Sequence, residues 1–257
     1  MQKEIKKPKR VFNLIIKRID PKKLNYGPIK IKAVKGLPPV VDLRPGMPPV
    51  YDQGDLGSCT AQAFCGSYQY LTQFYGSRLF LYYNERKIEH TVPYDSGAYL
   101  IDGVKSLEKN GLCSDSSWPY IVNKFAIEPP KDCYVTALAH KVIKCYNVPQ
   151  NLKSMKEYLN EGFPFAVGIK VYSEFESDAV AKTGIVPIPT ANSKLIGGHA
   201  ILICGYNDTK KQWLFRNSWG DTWGDNGYGY LPYNHLISPS LCTELWCITL
   251  TSGISNK

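Results

Sequence analysis

The sequence predicts an α+β fold in two lobes, a mainly helical one followed by a mainly β one. Three observations predict it. Apolar residues recur at helical spacing through the first half of the chain. From about residue 163 onward the texture changes to short apolar runs bounded by Gly, Asn or Asp. No apolar run approaches the roughly 20 residues needed to cross a bilayer. A chain of 257 residues that is 44% hydrophobic and 21% charged has enough apolar material for a full core.

The elements follow in order. Residues 1–36 form a basic tail, with twelve Lys/Arg against Glu4 and Asp20, a net +10. The other 221 residues carry 19 basic and 20 acidic side chains, so the body is nearly neutral and the high pI belongs to the tail. Within the tail, "GPIKIKAVKG" alternates as a strand does. Its "VFNLII" is too short for the apolar core of a secretory signal, and no small-residue cleavage site follows. The proline-rich "LPPVVDLRPGMPPVYDQG" reads as an extended covering segment. From Cys59, the series Ala61, Phe64, Tyr68, Leu71 and Tyr75 marks one face of a helix. "SGAYLIDGVKSLEKNG" and "NLKSMKEYLNEG" are two more amphipathic helices, stopped by Gly111 and Gly162. "PFAVGIKV", "HAILICGY", "QWLFRNSW", "GYGYLPY" and "ELWCITL" read as strands. The expected division is a tail over 1–36, a helical lobe over 37–149 and a β lobe over 150–257, with the boundary near Val148–Leu152 and a ligand cleft between the lobes.

Four side chains suggest chemistry. Cys59 opens a helix, where unpaired N–H groups and the positive dipole end favour thiolate. Gln53, six residues upstream, brings a side-chain amide that, with the Cys59 N–H, suits an oxyanion hole. His199 follows two glycines at the start of a buried strand, and Asn217 ends another strand beside Trp219 and Trp223. Taken singly these residues are ordinarily a structural cysteine, a loop amide, a satisfied core histidine and a turn asparagine. Their order carries the signal: Gln, Cys after six residues, His 140 residues later and Asn 18 after that. The eight cysteines at 59, 65, 113, 133, 145, 204, 242 and 247 form no CxxC pair and no zinc-spaced set. They read as reduced, buried thiols, and no metal or cofactor is expected.

On "DQGDLGSCTAQAF", "GGHAILICGY" and above all "NSWGDTWGDNGY", the chain resembles the papain-like cysteine proteases. "LPPVVDLR" is similar to the start of the family's mature domain, and "DSGAYLIDGVKSLEKNGLCSDSSWPY" to its glycine-bearing substrate loop and following helix. "RLFLYYNERKIE" and "ELWCITL" resemble the microbial and large-DNA-virus branch. The resemblance spans about Leu37 to Ile248 and implies the papain-like two-lobe fold, with a β-barrel-like second lobe. It implies Cys59 as nucleophile in a thiolate–imidazolium pair with His199, Asn217 as orienter of the ring, Trp219 as its shelter, and Gln53 with the Cys59 N–H as oxyanion donors. Ser96 and Gly97 would present backbone to an extended polypeptide substrate, and Ala200 would line the pocket for the residue before the one at the scissile bond. Glu244 and Trp246 are both candidates for the floor of that pocket, and burial in the core is the competing reading for each.

Departures from the family pattern are Thr60 after the nucleophile in place of Trp, Leu56 in place of Cys, and no Cys in "TANSKLIGG". The losses remove disulfide staples and suit a reducing compartment, so an intracellular or virion-associated chain is expected over a classically secreted one. The basic tail is short for the family's inhibitory prosegment. Its position makes it a candidate arm over the cleft, and its charge suits nucleic acid or an acidic partner. Endopeptidase action is expected, since no cleft-blocking insertion is visible. The alternatives are acyl transfer or peptide ligation on the same dyad, and a silent peptide-binding module.

Overall fold

The computed structural model describes residues 10–16, 26–28 and 36–251. The strand expected in "GPIKIKAVKG" lies almost wholly outside them. The chain runs β1 (Val40–Asp42), α1 (Cys59–Thr72), α2 (Arg78–Ile88), α3 (Leu100–Lys109), α4 (Lys131–Ala137), β2 (Val142–Asn147), α5 (Leu152–Asn160) and β3 (Phe165–Tyr172). It continues with α6 (Asp178–Thr183), β4 (Leu195–Asn207), β5 (Gln212–Arg216), β6 (Tyr228–Pro232), α7 (Tyr233–Ile237) and β7 (Cys242–Thr251).

The strands form one antiparallel sheet in the order β2-β7-β3-β4-β5-β6, with β1 added to β4. No pairing joins β2 to β6 among the described residues, so the sheet is open rather than a closed barrel. Two apolar clusters flank it. One packs Phe64, Tyr68, Leu79, Val104 and Leu107 of the helices against Ala200, Leu202 and Trp246. The other packs Met155, Phe165, Ile201, Phe215 and Leu231 on the opposite side.

α1 lies within the first cluster, between the sheet and the other helices. Its first ten residues, Cys59 to Tyr68, are all buried, as expected of a helix with core on every side. It ends at Gln73 in the left-handed region (φ 61°), so Tyr75 lies beyond it and is exposed, contrary to the helical spacing read from the sequence. α2 starts on Ser77, whose Oγ accepts from the Phe80 N–H at 3.0 Å. α3 approaches so closely that a Cβ on Gly103 would lie 2.7 Å from both Glu85 Oε1 and the Phe64 ring.

The proline-rich segment is held to the sheet by a buried cation. Arg216 of β5 donates to the Pro49 carbonyl at 2.5 Å, and its guanidinium lies 4.2 Å from the Tyr51 ring centre. This contact delivers the Asp52–Ser58 loop to the start of α1. All eight cysteines are buried, with none bonded to another.

Candidate active site

Cys59 is the first residue of α1, and its cap residue Ser58 makes no side-chain bond to the helix N–H groups. The Ser58 hydroxyl is engaged by Tyr120 (2.5 Å) and Gln62 (3.0 Å) instead. First-turn N–H groups have no intrahelical partner, and here those of Cys59 and Thr60 act on the Cys59 sulfur to favour its charged form. The Ala200 N–H, from β4, acts on the same sulfur in the same sense, while no hydrogen bond joins the sulfur to His199 Nδ1. Helix and strand thus meet at the residue adjoining His199.

His199 is wholly buried, and its Nε2 lies 2.8 Å from Asn217 Oδ1. The Asn217 oxygen is fixed in turn by the Ser218 N–H at 2.9 Å. Trp219 stacks on the imidazole at 5.0 Å and 26°. Phe175 meets the indole edge-on at 5.4 Å, as does Trp223 at 5.4 Å, closing this side to water. His199 Nδ1 has no hydrogen-bond partner among the described residues.

Gln53 is buried between the same elements. Its Nε2 donates to the Leu56 carbonyl at 2.9 Å, leaving the second amide hydrogen of that nitrogen, and its Oε1 accepts from Ser218 Oγ at 2.5 Å. Ser218 lies inside the "NSWG" run, yet nothing in the sequence singled it out as the residue that fixes the amide.

Residues 10–16 lie across this constellation. Leu14 N–H donates to the Gly198 carbonyl (3.2 Å) and Gly198 N–H to the Phe12 carbonyl (3.3 Å), in a parallel bridge. Ile15 N–H donates to the Ala98 carbonyl at 3.4 Å, and Asn13 Nδ2 to the Asp95 carbonyl at 2.8 Å. Gly97 has φ +73°, and a Cβ there would fall 1.7 Å from the Asn13 carbonyl oxygen. A side chain at Gly97 is incompatible with any chain lying so close. Ser96 precedes it, its hydroxyl bonding Thr91 Oγ1 at 2.9 Å. Phe12 meets His199 and Trp219 edge-on at 6.3 and 5.7 Å.

Cys59 and His199 both have no exposed surface. Burial pushes the Cys59 thiol up to about 12 despite the N–H groups aimed at it, and it lowers His199 to about 4. The thiolate–imidazolium pair expected from the resemblance is therefore disfavoured in this covered form. With water expelled, the neutral thiol and neutral imidazole are the stable states.

Of the two candidate floor residues, Trp246 is buried in the core and Glu244 is tied to the start of α3. Glu244 Oε2 accepts from the Ile101 N–H at 3.1 Å and from Trp246 Nε1 at 3.3 Å. The Leu14 side chain packs beside Gly168 and Thr243, one residue from Glu244. Beneath lies a group of acids that the sequence did not reveal. Thr60 Oγ1 donates to Glu85 Oε2 at 2.7 Å, the Tyr99 N–H donates to Glu89 at 2.8 Å, and Asp102 lies close by. Burial, with like charge from Asp102, pushes Glu89 and Glu244 up to about 7 and holds Glu85 well above the carboxylate range, and Glu89 adds its own charge at Glu85 and Glu244.

Residues 37–238 match the papain family of cysteine proteases. The chain belongs to that family. It is 37% identical over 222 residues to an uncharacterized peptidase C1-like protein of Acanthamoeba polyphaga mimivirus, covering 80% of this chain and 71% of the relative. The crystal structure of xylellain, a cysteine protease from Xylella fastidiosa, superposes with a TM-score of 0.84 at 35% identity, covering 92% of this chain and 95% of that one. Cathepsin K of Mus musculus is 26% identical over 195 residues, which span 72% of this chain and 56% of that protein. The chain is accordingly a peptidase, and polypeptides are its implied substrates. Among the described residues, no helix is long and apolar enough to cross a membrane.

Proposed function

We propose that this chain is a cysteine endopeptidase held in a covered state by its own N-terminal arm. One observation carries the reading: a buried imidazole anchored through Nε2 on Asn217, its Nδ1 unpartnered among the described residues, on the residue next to Ala200, whose N–H acts on the Cys59 sulfur. When substrate replaces the arm, His199 Nδ1 takes the thiol proton and Cys59 Sγ attacks the peptide carbonyl. The oxyanion formed accepts from the Cys59 N–H and from the Gln53 amide, whose carbonyl end is fixed by Ser218. The imidazolium protonates the departing amine, leaving a thioester. His199 then removes a proton from water, which attacks the thioester and restores the thiol.

Asn217 keeps the ring in one orientation throughout, while Trp219 and Phe175 exclude water from the Asn217–His199 bond. Ser96 and Gly97 border the groove at the backbone level where an extended substrate would pair. The arm hydrogen-bonds to Gly198 and Ala98, backbone groups that a peptide would also use, which supports its reading as a short prosegment. A reducing compartment suits eight buried free thiols.

The test is labelling with a thiol-directed peptidyl epoxide, with the adduct mapped by mass. Modification at Cys59 that is lost in His199→Ala supports the proposal. Labelling spread evenly over the eight cysteines contradicts it.

A further inference from the structure

We propose that the acidic and aromatic cradle now filled by Arg10 is the subsite that receives an arginine or lysine side chain on the leaving-group side of the substrate. This rests on the peptidase reading and specifies part of its substrate.

The Arg10 guanidinium carbon lies 5.1 Å from the Trp219 ring centre. Its Nη2 donates to the Trp219 carbonyl at 3.3 Å and its Nη1 to Asp52 Oδ1 at 3.4 Å. Glu176 lines the same cavity, of about 360 Å³, with Phe175 and Trp223 behind. An aromatic face, a carbonyl oxygen and two carboxylates form a receptor matched to a planar cation. Apart from Arg10 itself, no basic side chain lines that cavity among the described residues. The aromatic wall is fixed in place, since Trp219 is held edge-on between Phe175 and Trp223.

The cradle's location gives it a role. Trp219 stacks on His199, the group that hands its proton to the departing amine, so the surface beyond this indole faces the leaving half of the substrate. Asn13 to Ile15 contact Gly97, Gly198 and Ala98, three to five residues farther along the arm. An extended chain covers on the order of 10–17 Å in that interval, and Phe12, between the two, meets the His199 ring, so the arm passes the imidazole on its way from the cradle to the Gly97 edge. When the arm leaves, Asp52 and Glu176 lose their cation and face solvent next to the path of the substrate. A basic side chain there restores the contacts Arg10 made.

The experiment uses the full chain carrying Arg10→Ala, which empties the cradle. Internally quenched peptides of one sequence carry arginine, its neutral isostere citrulline, or glutamate at each of the first three positions after the scissile bond. Arginine is expected to exceed citrulline in kcat/KM by about fivefold to tenfold at one position, with glutamate below both. Adding Asp52→Asn and Glu176→Gln, or Glu176→Gln alone if the combined variant does not fold, is expected to shrink that ratio toward one. Arginine and citrulline within about twofold at all three positions would overturn the cradle, as would a ratio that survives loss of both carboxylates.

Binding of the same peptides to the chain carrying Arg10→Ala and Cys59→Ala separates the two readings. Tighter, carboxylate-dependent binding of the arginine peptide without cleavage by any Cys59 form would sink the peptidase reading and keep the cradle. Cleavage with no preference for arginine in rate or binding would do the reverse.

Discussion

Among the described residues the His199 ring makes one hydrogen bond, through Nε2, and burial together with the Arg10 cation of the arm lowers its proton affinity to about 4. The sign is definite. A histidine held at about 4 against the ordinary 6.5 supports the folded structure, arm contacts included, fully above pH 6.5, and that contribution fades as pH drops toward 4. The amides of Leu14 and Ile15 donate to Gly198 and Ala98 and report the covered state directly. Their hydrogen-exchange protection, corrected for the intrinsic rate, is expected to fall between pH 6.5 and 4, and to do so less in His199→Ala. Gln53 yields a second expectation at this scale. Its amide is clamped by Leu56 and Ser218 before any substrate arrives, so it is a preorganised donor. Gln53→Ala is expected to lower kcat by about 10²–10³ with a small change in KM, measured on a fluorogenic peptide once the arm is displaced.

The acids of α2, α3 and β7 make the helical lobe sensitive to pH in the opposite direction. Glu89 and Glu244 have folded values near 7, above the ordinary 4.5, so they support folding while protonated. That support is complete below pH 4.5 and is lost as pH rises through 7. Glu244→Gln keeps an acceptor for the Ile101 N–H and cannot ionise, so it is expected to raise Tm at pH 8 and leave it nearly unchanged at pH 5, by thermal denaturation. These acids come from three separated elements, which is why no local motif announced them. α2 escaped for a related reason. Nine of its eleven residues, Arg78 and Arg86 among them, are buried, so "RLFLYYNERKI" shows no clean polar face. Strand β2 carries two register shifts, and alternation fails there. By contrast α1, α3, α5 and β3 to β7 were legible because each has a regular apolar pattern and a glycine or polar stop. Cys59, His199 and Asn217 were legible through spacing and the glycine- and tryptophan-rich runs around them. The hydrogen bonds that fix Gln53 through Ser218 needed three dimensions.

At the scale of the whole molecule, Cys59 belongs to one core and the Trp219 and Phe175 around His199 belong to the other, and a strip of the same chain lies over the seam between them. The strip is held at two places. Leu14 is 6% exposed and belongs to the helical-lobe cluster, while Tyr26 donates to Glu108 at 2.5 Å and meets Trp246 edge-on at 5.3 Å. The exposed Asp52 carboxylate makes the Arg10 pair a weak fastener on its own. Closure therefore depends chiefly on apolar burial and backbone pairing, and Leu14 is the side chain whose loss should be felt most. Leu14→Ala forfeits the transfer energy of a buried isobutyl group, about 2–3 kcal/mol, and the pocket at Gly168 and Thr243 opens to water when the arm lifts, which limits any cavity penalty. A shift of that size raises the uncovered fraction by roughly 30-fold to 150-fold while most molecules remain covered. Leu14→Ala in the chain with its arm is thus expected to cleave a peptide substrate about that much faster than the parent chain, and Leu14→Met, which keeps the volume, to stay close to the parent. Equal rates in all three chains, with the amides of positions 14 and 15 deprotected in the alanine variant, would show that the strip covers the seam without restraining the chemistry.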